Sequence, residues 1–131
     1  MDTIKIAGKE YDQLGITKEK EEYIRLEAVD LCFGLSALIY DNSVLVRVAV
    51  ARKKVGHELF VTDESWRVRA TVAKYTDDNK ILDILIKDEN EFVRFVIVKR
   101  GYGLVFFVND TDEEIASIAR YQLQQNSLVE I

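Results

Sequence analysis

The apolar and polar positions of this chain repeat with a nearly constant spacing. The first four copies have a Val or Ile followed by an arginine, and an acidic residue stands six positions before each arginine. The Val or Ile of successive copies stand 22, 22, 25 and 22 residues apart, at Ile24, Val46, Val68, Val93 and Ile115. Only the fifth copy lacks the arginine, which Ala116 replaces. Internal repetition of this length is typical of a chain built from stacked structural units.

The first half of each copy predicts an amphipathic helix that begins at the acid. An acid at that position can cap the helix by accepting hydrogen bonds from its free N–H groups. In DENE and DTDE, Glu91 and Glu113 also stand at the spacing of a capping box. Residues five, eight and nine positions after the acid predict one stripe that faces the core; in the third copy these are Val68, Thr71 and Val72.

The second half of each copy predicts a shorter helix. An apolar block stands ahead of the next acid, as in GHELFVTD and GLVFFVND. Glycines mark the turn between the two helices, at Gly34, Gly56, Gly101 and Gly103. In the third copy the predicted turn is TDDNK, which supplies the three additional residues of the 25-residue spacing.

Two segments, VLVRVAVARK and FVRFVIVK, are rich in β-branched residues and would also suit strands. A strand would leave the constant acid-to-arginine spacing without a purpose, and it would point Val46 and Arg47 to opposite faces. Stacked helices account for both features, since a two-helix unit this short buries its apolar side only against a neighbour. The sequence therefore predicts an all-α fold, a short right-handed α-solenoid of about five two-helix repeats.

The repeats are expected to fill residues 19–131 and to begin near residues 19, 41, 63, 88 and 110. At the C-terminus, SLVEI is predicted to be an incomplete copy of the second block. Residues 1–18 stand outside the repeat. There IKIAGKEY predicts either a small hairpin or an extended arm that covers the first repeat as an N-terminal cap.

The acid, the Val-Arg pair, the small apolar residues after it and the leucine block together resemble HEAT-like α-helical repeats. The short period is most similar to the leucine-rich repeat variant subgroup. The resemblance implies a scaffold for partners, and it implies hydrogen bonds between the acids and arginines of successive repeats. Carried over by position, this arginine ladder contains Glu19, Arg25, Asp41, Arg47, Asp63, Arg69, Asp88 and Arg94. The alternative is an arginine column that grips phosphates.

Composition and charge narrow the choice of function. The chain is 48% apolar and 31% charged, and its net charge of −5 comes from acidic ends around a mildly basic middle, residues 41–109. Such a chain is a poor general binder of nucleic acid, because affinity for phosphates comes mainly from lysine and arginine. No apolar run is long enough to span a membrane, and the single cysteine, Cys32, fits a reducing compartment. We therefore expect a cytoplasmic protein.

Little in the sequence indicates catalysis. The only histidine, His57, stands in a turn where a solvated residue is common, and Cys32 stands in an apolar segment typical of a small core residue. The sequence contains no zinc-ligand set, phosphate-binding glycine loop or serine-nucleophile motif. Some proteins of the variant subgroup hold iron and sulfur on an N-terminal cysteine cluster, which one cysteine does not provide. We expect a protein that is not an enzyme and has no metal or other cofactor.

The outer face of the acid-led helices is the predicted partner-binding surface. In HEAT-like folds the second helix of each repeat lines the concave surface, and the acid-led helix corresponds to it by resemblance. Aromatic and aliphatic groups on such a face are the usual anchors of protein interfaces. An equally open alternative is that they complete the core between repeats. The predicted partner-binding residues are Leu45, Val48, Trp66, Arg67, Lys74, Phe92, Phe95 and Lys99.

Basic residues near the ends of the same helices form a second candidate site. This basic edge consists of Arg52, Lys53, Lys74, Lys99 and Arg100. It suits an acidic protein surface or a nucleic-acid backbone, and the alternative is that these cations offset the helix dipoles. We expect a non-catalytic protein–protein interaction module that acts as a scaffold, adaptor or inhibitor. The alternative function is a nucleic-acid-binding repeat protein that uses the basic edge.

Overall fold

The computed structural model describes residues 2–129, which are mostly helical and start with a small β-hairpin. The strands are β1 (Thr3–Ile6) and β2 (Lys9–Asp12). The helices are α1 (Gln13–Thr17), α2 (Glu22–Asp30), α3 (Leu35–Leu38), α4 (Val44–Arg52), α5 (His57–Phe60), α6 (Trp66–Tyr75), α7 (Asn79–Leu85), α8 (Glu91–Lys99), α9 (Leu104–Phe107) and α10 (Glu113–Val129). Within this part of the chain, no helix is both long enough and apolar enough to cross a membrane.

The longer helices pack side by side in chain order. Helix α2 contacts α4, α4 contacts α6, α6 contacts α8, and α8 contacts α10. One continuous hydrophobic core runs along them. The segments VLVRVAVARK and FVRFVIVK, for which strands were the alternative, form α4 and α8. The prediction of a mainly helical chain is therefore confirmed.

The predicted inward stripe is wrong at position eight after the acid. Thr71 and Val96 at this position are only half-buried, whereas Ala73 and Val98 at position ten are fully buried. The reason is that each central helix has a longer helix on both sides, so it buries a wider arc than a helix with one partner. That arc includes the arginine at position six, and Arg47 is accordingly only 8% exposed.

The acid-led helices begin three residues after the acid, and the acid is not the N-cap. Instead, Ser65 and Asn90 cap α6 and α8, and their side-chain oxygens accept from backbone N–H groups of the first turn. The acid two residues earlier accepts the backbone N–H of this capping residue, as Asp63 does from Ser65 at 2.9 Å. The predicted capping boxes are therefore wrong, since Glu91 and Glu113 are the first residues of their helices.

The turns between paired helices are of two kinds. In three repeats a glycine with left-handed backbone precedes the short helix; these are Gly34, Gly56 and Gly103. A Cβ on Gly56 would stand 2.9 Å from Ile39 Cγ2, so packing as well as conformation requires glycine there. In the third repeat Asp78 caps α7, which has 7 residues where α5 has 4. The additional residues thus lengthen this helix, and the predicted turn TDDNK is wrong beyond Asp78.

The N-terminal segment forms a hairpin and packs on the first helical pair. Strands β1 and β2 are antiparallel, with Ile6 opposite Lys9. Helix α1, which the sequence pattern does not predict, follows at once and contacts α2 and α3. Its Ile16 is fully buried, and Tyr11 of β2 is only 5% exposed. The hairpin and α1 thus cover the open end of the core beside α2.

The C-terminal helix is longer than the repeat pattern predicts. Helix α10 runs without interruption for 17 residues. The first part of SLVEI, residues 127–129, belongs to this helix and not to a separate second block. The remaining Glu130 and Ile131 of that prediction lie outside the described residues, as does Met1 of the predicted N-terminal arm.

Candidate functional site

Four arginines on the longer helices each bind the aspartate of the following repeat through two hydrogen bonds. In the third repeat, Arg69 donates from Nε to Asp88 Oδ2 at 2.8 Å and from Nη2 to Asp88 Oδ1 at 3.2 Å. Its Nη1 donates to the backbone carbonyl of Asp63, the acid of its own repeat, at 2.7 Å. The same geometry joins Arg25 to Asp41, Arg47 to Asp63 and Arg94 to Asp110.

In the arginine ladder, each arginine pairs with the acid of the next repeat and not with the acid of its own repeat. Each arginine uses the side chain of the next acid, so Asp110 is the last carboxylate in it. Glu19, which the prediction included, offers Arg25 only its backbone carbonyl, at 2.8 Å. The Glu19 carboxylate instead accepts a hydrogen bond from the Tyr11 hydroxyl at 2.6 Å. The N-terminal hairpin thus supplies the donor that a preceding repeat would supply.

The ladder side chains are shielded from solvent, and their hydrogen-bonding groups are used within the chain. The side chains of Arg69 and Asp88 are 13% and 7% exposed. The hydrogen bonds that Arg69 donates to Asp88 raise the pKa of Arg69 above its ordinary value, so this arginine stays charged. Its Nε, Nη1 and Nη2 all donate within the chain. A column that grips phosphates needs exposed donors, and the arginine ladder does not offer them.

The first rung of the ladder is a tyrosine paired with a glutamate. The hydrogen bond to Glu19 raises the pKa of Tyr11 to about 12. The backbone N–H of Glu21, followed by the Tyr11 hydroxyl, lowers the pKa of Glu19. At neutral pH the phenol is therefore protonated and the carboxylate ionised, which is the state in which the one donates to the other.

A groove of about 500 Å³ crosses the outer faces of α4, α6 and α8. We name it the aromatic groove, because Trp66, Tyr75, Phe92 and Phe95 line it together with Val48. Trp66 meets Phe92 edge to face, with ring centroids 5.3 Å apart and planes at 69°. Phe92 and Phe95 are nearly parallel, at 22°, with centroids 6.1 Å apart. The rings form one connected apolar wall.

These side chains fall into two groups by exposure. Trp66 and Phe92 are 37% and 48% exposed. Phe95 and Val48 are half-buried and pack against the hydrophobic core. The core alternative from the sequence therefore holds in part for Phe95 and Val48, whereas Trp66 and Phe92 stand open to solvent.

Five cations line the aromatic groove, and no carboxylate does so within the described residues. They are Arg52, Arg67, Lys74, Lys99 and Arg100. Arg67 stands over the Trp66 ring at 5.5 Å, and Arg100 donates to the Ala73 carbonyl at 2.7 Å. Four of the five belong to the predicted basic edge. The apolar patch and the basic edge, which the sequence shows as separate features, thus meet in one groove.

An acidic hollow adjoins the aromatic groove at Phe92 and Phe95, which line both. Its walls carry Glu91 at the start of α8, with Asp112 and Glu114 at the start of α10. The charge of the surface therefore changes sign across the two phenylalanines. Cations lie toward α4 and α6, and acids lie toward α10.

Two predicted site residues lie away from the aromatic groove. Leu45 is 55% exposed but does not line the groove. Lys53 donates from Nζ to the backbone carbonyl of Asp30 at 3.3 Å and likewise does not line it. Both stand on α4 or just after it, at the edge of the three-helix surface. Leu45 and Lys53 are therefore not part of the aromatic groove, although both were predicted as site residues.

Four groove residues are absent from the predicted site residues: Ala70, Thr71, Tyr75 and Val96. Thr71 and Val96 line the groove from position eight, which the pattern assigned to the core. Tyr75 is the last residue of α6, which has 10 residues where α4 and α8 have 9. The sequence signal that could have found Tyr75 is an aromatic residue next to a lysine at the predicted end of a helix. In the structure the Lys74 Nζ stands 5.5 Å from the centre of the Tyr75 ring.

The two residues considered for catalysis lie outside the aromatic groove, and both expectations about them are wrong. His57 is buried, with Nε2 2.8 Å from the Ala51 carbonyl oxygen, and is not a solvated turn residue. Cys32 is exposed, with φ of 58°, and is not a core residue. Among residues 2–129, no group of three or more His, Cys, Asp or Glu side chains could hold a metal ion.

The arginine ladder and the aromatic groove together are the features from which a function can be argued. The ladder is internal and satisfied, whereas the groove presents rings and cations to solvent. Comparisons of the chain with protein-family models, with curated proteins and with solved structures found no match.

Proposed function

We propose that this chain is a short right-handed α-solenoid of the HEAT-like type, closest to the leucine-rich repeat variant subgroup. It acts in the cytoplasm as a non-catalytic protein-interaction module, and the aromatic groove binds its partner. One observation carries the proposal: a groove of about 500 Å³ gathers four aromatic side chains and five cations on the outer faces of three neighbouring helices.

The arginine ladder supports the solenoid part of the proposal. One kind of contact, from an arginine to the next aspartate, recurs at four successive junctions. The longer helices contact one another in the same order. In a solenoid each unit touches only its neighbours, so a repeated junction of this kind is what holds the stack together. The exposed rings of the aromatic groove are then available for a partner.

Trp66 and Phe92 are the expected anchors of the interface. Tryptophan and arginine dominate the binding energy of protein interfaces when they sit near the centre of a contact patch. Trp66 lies between Arg67, which stacks on its ring, and Phe92, which meets it edge to face. The half-buried Phe95 fixes the position of Phe92 from below. Such support holds the anchors in place before binding and lowers the cost of ordering them.

The cations of the groove favour one other candidate function, a nucleic-acid-binding repeat protein. A positive groove with aromatic rings is also how proteins hold single-stranded nucleic acid. The net charge of −5 and the acidic hollow beside Phe92 oppose a phosphate backbone that continues past the groove. The protein-interaction module therefore accounts for more of the surface.

A photoreactive side chain placed in the aromatic groove tests the proposal in cells that naturally contain the protein. In one variant Tyr75, which also lines the groove, is replaced by a benzophenone amino acid, so that an aromatic ring stays at this position and every cation of the groove is kept. In the matched control the same replacement is made at Val105 of α9, which is 77% exposed and lies outside the groove. Illumination links the side chain to whatever lies beside it. We expect protein adducts from position 75 only, and we expect Phe92→Ala to remove them.

Each outcome of this experiment decides the matter. Protein adducts that require both position 75 and Phe92 support the module. Nuclease-sensitive adducts from position 75 overturn it in favour of the nucleic-acid candidate. Equal adducts from both positions, or none from either, show that the aromatic groove is not the partner-binding surface.

A further inference from the structure

The five cations of the aromatic groove lack the acidic partners that the ladder arginines have. In residues 2–129 no ion pair with a carboxylate is formed by Arg52, Arg67, Lys74, Lys99 or Arg100. Three of them stand over aromatic rings instead, at 5.5 Å from the centroid for Arg67 and Lys74 and 6.0 Å for Lys99. A local concentration of positive charge on a chain of net charge −5 indicates a negatively charged occupant.

The apolar wall of the groove also favours an occupant with a bulky apolar group. Trp66 and Phe92 are in contact with each other and stay partly exposed, so their outer surfaces form an apolar wall without cover. The volume of about 500 Å³ is within the range of pockets that bury a ligand or a large side chain. An occupant with negative charge alone would leave this wall in contact with water, at a cost proportional to its apolar area.

The arrangement of rings and charges favours a peptide over a phosphate backbone. Base stacking needs open ring faces. Here Phe92 and Phe95 turn their faces toward each other, and Arg67 covers one face of Trp66. The acids of the neighbouring hollow begin at Glu91, directly before Phe92 on the chain. An occupant with a charge on every unit would meet these acids, whereas a peptide can place its acids on one side only.

We propose that the aromatic groove binds an acidic segment of a partner protein that carries one bulky apolar anchor, an inference that rests on the proposed function. The anchor lies against Trp66 and Phe92. The acidic side chains lie on one side of the anchor, beside Lys74 and Lys99 at the ends of α6 and α8. Because the acidic hollow follows beyond Phe92, the other side of the anchor is neutral or basic.

Short fluorescent peptides test this inference on the full chain by anisotropy at low ionic strength. The probes are two peptides with one tryptophan and a run of glutamates, placed before the tryptophan in one and after it in the other. Control peptides replace the tryptophan by alanine or the glutamates by lysine, and a single-stranded oligonucleotide is the last probe. We expect one acidic peptide to bind about tenfold or more tightly than every control.

Charge reversal in the chain supplies the matched variants. The test variant carries Lys74→Glu and Lys99→Glu, and the control carries Lys80→Glu and Lys87→Glu, which are exposed and lie outside the aromatic groove. Both variants change the net charge equally. We expect the test variant to lose about tenfold or more in affinity for the acidic peptide and to gain affinity for the lysine peptide. The control should keep nearly all affinity, and equal unfolding midpoints would show that both variants are folded.

The outcomes separate this inference from the proposed function. Equal binding of the glutamate and lysine peptides, equal binding of the tryptophan and alanine peptides, tighter binding of the oligonucleotide, or equal losses in both variants would overturn the acidic-segment inference. If no peptide binds, the segment cross-linked to position 75 decides: one rich in Asp and Glu beside a large apolar residue supports the inference, and any other composition overturns it. Absence of protein cross-links from position 75 instead defeats the proposed function itself.

Discussion

Two arginines that stand two positions apart on α6 have different surroundings. Arg69 lies between helices, holds Asp88 with two hydrogen bonds and reaches the Asp63 carbonyl with a third. Arg67 lies in the aromatic groove, over the Trp66 ring, without a carboxylate partner among the described residues. The same side chain thus joins two helices in one place and lines an exposed groove in the other. Position on the helix, and not residue type, separates the two roles.

The difference follows from burial. An arginine that leaves solvent is stable only when its charge and donors are matched, and the ladder matches them inside the chain. An exposed arginine keeps its hydration and can exchange it for a ligand. We therefore expect substitutions in the ladder to have large effects on stability and small effects on binding. For substitutions in the aromatic groove we expect the reverse.

Breaking a rung of the ladder should have the largest effect. Arg69→Ala leaves the Asp88 carboxylate, whose side chain is 7% exposed, without its cation. We expect the free energy of unfolding to fall by about 3 kcal/mol, measured by chemical denaturation. The control is Arg67→Ala on the same helix, for which we expect a change within about 0.5 kcal/mol. Equal losses from both variants would contradict the division between ladder and groove.

Removing an anchor from the groove should act on binding. Phe92→Ala takes away the central ring of the aromatic wall, and we expect affinity for the bound peptide or partner to fall by about 30-fold, which corresponds to about 2 kcal/mol. Stability should change by less than about 1 kcal/mol, because Phe92 is 48% exposed. Leu45→Ala is the matched control, since Leu45 is similarly exposed but lies outside the groove. Unfolding of the Phe92 variant would assign Phe92 to the core.

Added salt should separate the two sets of cations further. Affinity for the acidic peptide should fall several-fold between low and high salt, because exposed charges are screened. The stability difference between the wild-type chain and Arg69→Ala should change little over the same range, because that pair is shielded from solvent. Titrations of binding and of unfolding at matched salt concentrations measure both. An affinity that does not change with salt would contradict a role of the groove cations in binding.

The first rung predicts the smallest effect, and it depends on pH. The pKa of Tyr11 is raised from 10.0 to about 12, so its contribution to stability is present below pH 10 and is lost as the pH rises toward 12. The pKa of Glu19 is lowered, so its contribution is lost as the pH falls below about 4.5 through the folded-state value. The Tm difference between the wild-type chain and Tyr11→Phe should therefore be a few degrees at pH 7. It should shrink at both extremes, and a difference independent of pH would contradict this pairing.

Much of the helical fold was readable from the sequence, because its signals are periodic and local. The recurring Val-Arg pair places α2, α4, α6 and α8, and the glycines place three of the turns. The helix starts were less readable. By spacing, the acids were predicted to be N-caps. Instead, the arginine of the preceding repeat binds each of Asp41, Asp63, Asp88 and Asp110. Each of these acids accepts the backbone N–H of the residue two positions later, which stands directly before the helix. The ion pair between repeats thus takes the acid away from the capping role that its position in the sequence indicates.

The candidate site was only half readable for the same reason. The sequence by itself determined most of the residues on the outer face of each longer helix, since that follows from the helical period along one element. Whether Trp66 and Phe92 touch, and whether Lys74 and Lys99 share a groove with them, depends on how α6 and α8 pack. The tertiary structure alone decided that, because neighbouring helices join residues that lie more than a full repeat apart on the chain.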